Sequence, residues 1–400
     1  MLRELGLGLC LLLSAVAAAA EEPAAAATDA TGEPPPEAVL ADLPFLDPPD
    51  ARTVTVDLAR EGSARPFPLL LDTGAQSSVL TPALARELGV NVRRLKSTPY
   101  RRATRLGRDL QFHVQTRTSD QSTPSPFEFG VLGGQFLSEY VVEIDYAARR
   151  VRFLDPDRWA VPERATDAEA AVLPLLLVAH RPVVEVEVDG APVQVLLDTG
   201  SPFAVVVGGR TAKKLAPEPR TLRGLRLFGV QGEIAATLSE AARLALGPFA
   251  IDHQPLVVAR RGLYQQGTAS DSVVGHDLLA LFTVRIDYPR RRLWLRRTAP
   301  LDPQLLGLRW DVVRETGAAL ERRDDWVYVR FVIGGSPAER LGLAPNDLIE
   351  FVDGEPPGDD LAALNAAIAG AEVVRVQRLG ESGGRWQPVT LRPPPAAPVP

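Results

Sequence analysis

The sequence predicts a mainly β protein in which two tandem β lobes of one design form a pseudo-dimer, followed by a smaller α+β domain. The first observation behind this is an internal repeat. LLLDTGAQSSVL (Leu69 to Leu80), VLGGQFL (Val131 to Leu137) and VVEIDYAARRVRF (Val141 to Phe153) recur as VLLDTGSPFAVV (Val195 to Val206), VVGHDLL (Val273 to Leu279) and FTVRIDYPRRRLWL (Phe282 to Leu295). In both copies an Asp-Tyr pair, Asp145-Tyr146 or Asp287-Tyr288, begins twelve positions after Gly133 or Gly275. The second is period-two alternation, clearest in VVEVEV and VQVLL on either side of Asp189-Gly190, a dipeptide suited to the positive φ of a tight hairpin. The third is a change of pattern from about Leu301, where apolar strands flank the helix-like DDLAALNAAIAG.

Taken in order, residues 1–20 combine Arg3, an apolar stretch from Leu5 to Val16 and small residues near Ala18 to Ala20, which reads as a secretory leader. Leu9 is too large for the position before a lipidated cysteine, so Cys10 is read as part of that leader. Residues 21–50, rich in Ala, Pro and acidic side chains, read as a linker or pro-segment whose composition cannot order itself. The first lobe spans 51–158. It opens with TVTVDL and PLLL around Glu61-Gly62-Ser63 and continues into a helix with Thr81 as N-cap, Pro82 in its first turn and Gly89 closing it. The second lobe spans 170–298, the α+β domain 301–392, and the Pro-rich tail 393–400 is expected to be extended.

Charge and composition exclude several function classes. At 400 residues with a formal charge of -6, the chain offers no basic field for phosphates, so nucleic acid is not an expected partner. After the leader there is no apolar run long enough to span a membrane. His113, His180, His253 and His276 are scattered without metal-ligand spacing, so neither a metal nor another cofactor is expected, and no G-x-S-x-G or phosphate-cradling loop occurs. His276 reads as a partly exposed residue at a helix start.

One Asp-Thr-Gly is an ordinary strand-end turn. Two, each behind an apolar strand and each followed by an apolar-apolar-Gly block, are not. This pairing resembles the retropepsin and pepsin-like aspartic peptidases over roughly residues 51–298. The resemblance implies a catalytic pair, Asp72 and Asp198, in which one carboxylate activates water while the other holds a proton. Thr73 and Thr199 would bond across the lobe interface, and Gly74 and Gly200 would let backbone N–H groups reach the carboxylates. The Ser201 hydroxyl could bond the outer oxygen of its carboxylate, which the Ala75 side chain in the first motif cannot. Phe228-Gly229-Val230-Gln231-Gly232 resembles the hairpin that covers substrate; Leu106-Gly107-Arg108 is the poorer counterpart in the first lobe.

The segment GSPAERLGL (Gly335 to Leu343), with Asn346-Asp347-Leu348-Ile349 and Val352-Asp353-Gly354, resembles a bacterial PDZ domain. That implies a carboxylate-capturing loop at Leu306, Gly307 and Leu308 and a peptide-pairing strand in LRWDVV, or else a degenerate domain used only for packing.

Three functional readings follow. The first is an exported aspartic endopeptidase, periplasmic or secreted, that acts as a monomer on peptide or protein substrates, with the PDZ-like part capturing C-terminal peptides. The second is a catalytically silent peptide-binding scaffold. In the third, each lobe works only with its twin from another chain. On the first, residues 301–400 form a separable module and can be removed without losing turnover of short peptides.

Overall fold

Burial follows the alternation seen in the sequence. In strand Arg181–Val188 the side chains of Val184, Val186 and Val188 are buried and those of Glu185 and Glu187 exposed. The chain then reverses through Asp189 and Gly190, both at positive φ, into Ala191–Leu197. A computed structural model of the chain describes residues 32–49, 51–94, 98–115, 130–165, 167–216, 218, 220–224, 227–229, 232–234, 236–259, 270–323, 325–379 and 385–393. Residues 1–20, read above as a leader, and residues 394–400 of the tail lie outside the described residues.

The repeat in sequence is a repeat in topology. In the first lobe the strand order is Thr55–Asp57, Pro68–Leu71, Gly130–Leu132, Ser78–Leu80, Asp109–Val114, Tyr100–Ala103. In the second it is Arg181–Val188, Ala191–Leu197, Val273–Val274, Val205–Val207, Phe249–Ala259, Ala236–Leu246. The strand before each Asp-Thr-Gly pairs in parallel with the apolar-apolar-Gly block, Leu71 opposite Leu132 and Leu197 opposite Val274. Thr81 caps helix Pro82–Glu87 as expected, accepting from the Leu84 N–H.

A six-stranded sheet joins the lobes, in the order Val39–Pro44, Arg150–Leu154, Val141–Asp145, Phe282–Asp287, Arg292–Arg297, Ala170–Pro174. Its centre is the antiparallel pairing of the two Asp-Tyr strands, Val142 opposite Ile286 and Ile144 opposite Val284. There Arg285, with a side chain 1% exposed, donates Nε to Glu143 at 2.5 Å and lies 4.0 Å from the centre of the Trp294 ring. An ion pair so deep stands only because both partners are satisfied. One apolar core runs beneath the sheet through both lobes, from Leu43 to Leu295.

Two expectations are corrected here. Residues 32–49 are part of the fold and no loose linker: Val39–Pro44 is the outer strand of the joining sheet, Ala38 and Leu43 are buried, and Glu33 bonds Arg285 at 2.8 Å. This segment mirrors Ala170–Pro174, so the polar composition around it hid a strand that needs only one buried face. The region from 301 has an apolar cluster of its own, from Ala318 to Leu391, but it is not set apart from the second lobe as expected. Its strands Ala318–Arg323, Trp326–Ile333, Leu348–Val352, Val374–Leu379 and Trp386–Leu391 continue the second lobe's sheet through Arg220–Arg223 into one sheet of 13 strands. A second apolar cluster mixes Phe203, Leu196 and Val273 of the lobe with Leu305, Trp310 and Phe331 of the C-terminal part.

Within that part, LRWDVV is not one strand: Leu308–Arg309 pairs with Gln304–Leu305, and the rest is helical. Trp310–Thr316 is a helix ended by Gly317 at positive φ, and the buried residues Trp310, Val313 and Thr316 recur every third position, a helical stripe that apolar content alone did not distinguish from a strand. It packs on helix Leu361–Gly370, where the Thr316 hydroxyl bonds Asn365 at 2.7 Å.

Candidate active site

Each Asp-Thr-Gly begins where a buried strand ends. The Asp72 N–H donates to the Leu132 carbonyl at 3.1 Å and the Asp198 N–H to Val274 at 2.9 Å, so each aspartate is anchored by the neighbouring apolar-apolar-Gly strand. The loops that follow are tied down alike. Gly134 N–H donates to the Ala75 carbonyl and His276 N–H to the Ser201 carbonyl, both at 2.8 Å.

The two motifs meet within one chain. Thr73 Oγ1 donates to the Leu197 carbonyl at 2.6 Å and accepts the Thr199 N–H at 3.1 Å. Thr199 Oγ1 donates to the Leu71 carbonyl at 2.5 Å and accepts the Thr73 N–H at 3.1 Å. Each buried hydroxyl uses both a donor and an acceptor, which threonine or serine provides and valine does not. The glycines bring the carboxylates together. A Cβ on Gly74 would stand 2.5 Å from Asp198 Cγ, and one on Gly200 2.8 Å from Asp72 Cγ, so each motif's glycine lies against the opposite carboxylate.

Backbone N–H groups hold the carboxylates in turn: Ala75 donates to Asp72 Oδ1 at 2.8 Å and Gly200 to Asp198 Oδ1 at 3.0 Å. Ser201 donates its N–H to the Asp198 carbonyl at 3.1 Å. The Asp72 carboxyl is pushed well above the usual carboxylate range, first by burial and next by the charge of Asp198, with which it also shares a side-chain hydrogen bond. Two carboxylates so placed hold one proton between them.

The second-lobe hairpin exists. Leu227–Gly229 pairs with Gly232–Ile234, Gly229 opposite Gly232, as a small sheet of its own, while Val230 and Gln231 lie outside the described residues. In the first lobe Leu106-Gly107-Arg108 is corrected. It is the tight turn between Tyr100–Ala103 and Asp109–Val114, with Leu106 in the core, and so corresponds to Leu246-Gly247 and not to a covering hairpin.

The loop at Leu306, Gly307 and Leu308 is also corrected as a peptide-carboxylate site. Leu306 is buried, and the Arg52 guanidinium packs so closely that a Cβ on Gly307 would meet its Nη2 at 1.6 Å. The loop already faces a carboxylate of the same chain. The N–H groups of Gly307 and Leu306 lower the pKa of Asp277 without closing hydrogen bonds of standard geometry, and Arg52 Nε stands 3.5 Å from Asp277 Oδ1. Burial still dominates and raises Asp277 to about 6.

Three further residues near the site went unassigned in the sequence. His276, expected to be partly exposed at a helix start, begins helix His276–Leu279 but is buried, its pKa lowered to about 4 by burial and then by Arg52, and it meets the Tyr146 ring edge-on at 5.1 Å. The hydroxyls of Tyr146 and Tyr288 are buried without a hydrogen-bond partner, and Asp72 adds to the burial that raises Tyr288. The repeated Asp-Tyr pair was the available signal; it marked the repeat and not the site. Among the described residues no group of three or more His, Cys, Asp or Glu could hold a metal ion.

The aspartyl protease family matches residues 54–106 and 184–278, which contain both Asp-Thr-Gly motifs. Among solved structures, a retropepsin-like aspartic protease from Rickettsia conorii is similar at 19% identity over 32% of this chain and 92% of its own, with a TM-score of 0.25. The EIAV protease complexed with the inhibitor HBY-793 is similar at 22% identity over 25% of this chain and 85% of its own, with a TM-score of 0.20. Basic 7S globulin from soybean is similar at 12% identity over 64% of this chain and 95% of its own, with a TM-score of 0.37. These likenesses are too low to assign any residue a role. No curated protein matches. The family match supports an aspartic protease.

Proposed function

We propose that the chain is an exported aspartic endopeptidase whose single site is built from Asp72 and Asp198 of the same chain. The observation that carries this is the reciprocal Thr73–Thr199 network, which, with Gly74 and Gly200, sets the two carboxylates face to face. The ionised carboxylate takes a proton from water as its oxygen attacks the scissile carbonyl carbon. The protonated one gives its proton to the carbonyl oxygen. The resulting gem-diol collapses as the carboxyl that took water's proton passes it to the amide nitrogen, the C–N bond breaks, and a gem-diol hydroxyl returns its proton to the other carboxylate. Burial and like charge keep one proton on the Asp72–Asp198 pair, which therefore supplies both the base and the acid. The hairpin Leu227–Ile234 is the element we assign to covering an extended peptide or protein substrate. Export rests on the reading of residues 1–20.

The test is turnover of a mixed peptide library by the mature protein across pH, with and without pepstatin. Asp72→Asn and Asp198→Asn should each lower kcat by roughly three orders of magnitude or more, and the double variant should be hardly worse, because the two groups act as a unit. Activity should be greatest in acid and fall as pH rises and strips the shared proton. If either single variant keeps half the activity, the one-site assignment is wrong.

A further inference from the structure

The strand ahead of the covering hairpin is the link between the second lobe and the C-terminal part within their shared sheet. In Arg220–Arg223 the first two residues pair with the second lobe, Arg220 opposite Leu238 and Thr221 opposite Thr237. The last two pair with the C-terminal part, Leu222 opposite Ile333 and Arg223 opposite Val332. Gly334 N–H donates to the Thr221 carbonyl at 2.7 Å, and Arg223 Nη2 pairs with Glu339 Oε1 at 2.9 Å. Gly224 follows at φ +89°, where a Cβ would stand 2.6 Å from Pro345 Cβ and 2.9 Å from the Arg330 carbonyl. The Leu227–Gly229 strand begins just beyond. On the far side, Ala236–Leu246 pairs with Phe249–Ala259 from Ala236 opposite Ala259 onward. The strand before the hairpin is therefore tied to both the lobe and the C-terminal part, and the strand after it to the lobe.

We infer that Arg223, Gly224 and Glu339 are positioning residues for substrate binding: through them the C-terminal part sets where the hairpin stands over the Asp72–Asp198 cleft. A displacement of strand Trp326–Ile333 relative to the lobe is carried to the hairpin foot, because a backbone ladder does not stretch and Gly224 packs so close to Pro345 that any side chain there would strike it. The C-terminal part thus acts on turnover of every substrate, short peptides included. The argument rests on the hairpin's assignment to substrate covering, but the tether can be measured without activity.

The experiment compares the full chain with Arg223→Glu, which sets two carboxylates against each other, and with the charge-swapped Arg223→Glu/Glu339→Arg. Amide hydrogen exchange is read at 227–229 and 232–234, with 236–246 as the control. The first variant should speed exchange in the hairpin about fivefold over the control, and the swap should restore it. KM for a short peptide should rise by about the same factor with kcat nearly unchanged. Gly224→Ala should act in the same direction. If hairpin exchange is unchanged in Arg223→Glu and in Gly224→Ala while both proteins stay folded, the tether is wrong. If the exchange responds but no variant, nor the native chain, turns over peptide, the tether stands and the peptidase assignment falls.

Discussion

His276 and Asp277 are adjacent, both buried, and titrate in opposite senses. Asp277 is raised from 3.8 to about 6, so its protonated form is favoured in the folded chain and the stability it confers is lost as pH rises through that window. His276 is lowered from 6.5 to about 4, so the unfolded chain takes up the proton first and stability is lost as pH falls from 6.5 towards 4. Each shift corresponds to about 3 kcal/mol, and between pH 4 and 6 the two slopes oppose. Asp277→Asn should therefore make the melting temperature fall as pH drops from 6.5, relative to the native chain. His276→Gln should make it fall as pH rises from about 4. Parallel melting curves for all three proteins would contradict the burial argument. At the same scale, Thr199→Val leaves the Leu71 carbonyl and the Thr73 N–H buried without partners. It should cost roughly 2–4 kcal/mol in urea unfolding, whereas Thr199→Ser, which keeps the hydroxyl, should cost under about 1 kcal/mol.

Strand Val39–Pro44 is an element whose role follows from its place at the sheet edge. A chain beginning at Gly32 keeps Leu43 in the core and Glu33 on Arg285. One beginning at Ala51 loses both and bares the edge of Arg150–Leu154. The shorter chain should be less stable by roughly 3 kcal/mol or more, mostly from apolar burial, and the longer one close to native, as urea midpoints would show. Equal midpoints would return 32–49 to the status of a linker. The strand was illegible in sequence because Pro, Glu and Asp surround its few apolar residues. Helix Trp310–Thr316 was misread for a different reason: a short apolar stretch fits either period until a neighbour, here helix Leu361–Gly370, fixes which face is covered. Hairpins with Asp-Gly turns and the capped helix Pro82–Glu87 were legible because their determinants lie within a few residues of each other.

In the whole molecule the C-terminal part and the second lobe share a sheet and a core, so residues 301–400 cannot be removed cleanly. Truncation after Pro300 would uncover Leu196, Phe203, Leu222 and Val273, two of which flank Asp198 in its anchoring strands. The truncated chain should bind a hydrophobic dye and lose turnover even of short peptides. Retention of native peptide kinetics by a folded 1–300 chain would contradict the shared core.

By itself the sequence determined the repeat and the hairpin at Asp189-Gly190, because these are written as a motif used twice and as local periods. The pairing of Asp72 with Asp198 followed only from the resemblance that the doubled motif carries. Only the tertiary structure decided that residues 32–49 complete the joining sheet, that the Leu306-Gly307 loop faces Asp277, and that Arg220–Arg223 pairs with both the second lobe and the C-terminal part. A hydrophobic pattern reports that a face must be covered, while what covers it depends on residues a hundred or more positions away, as with Glu33 on Arg285.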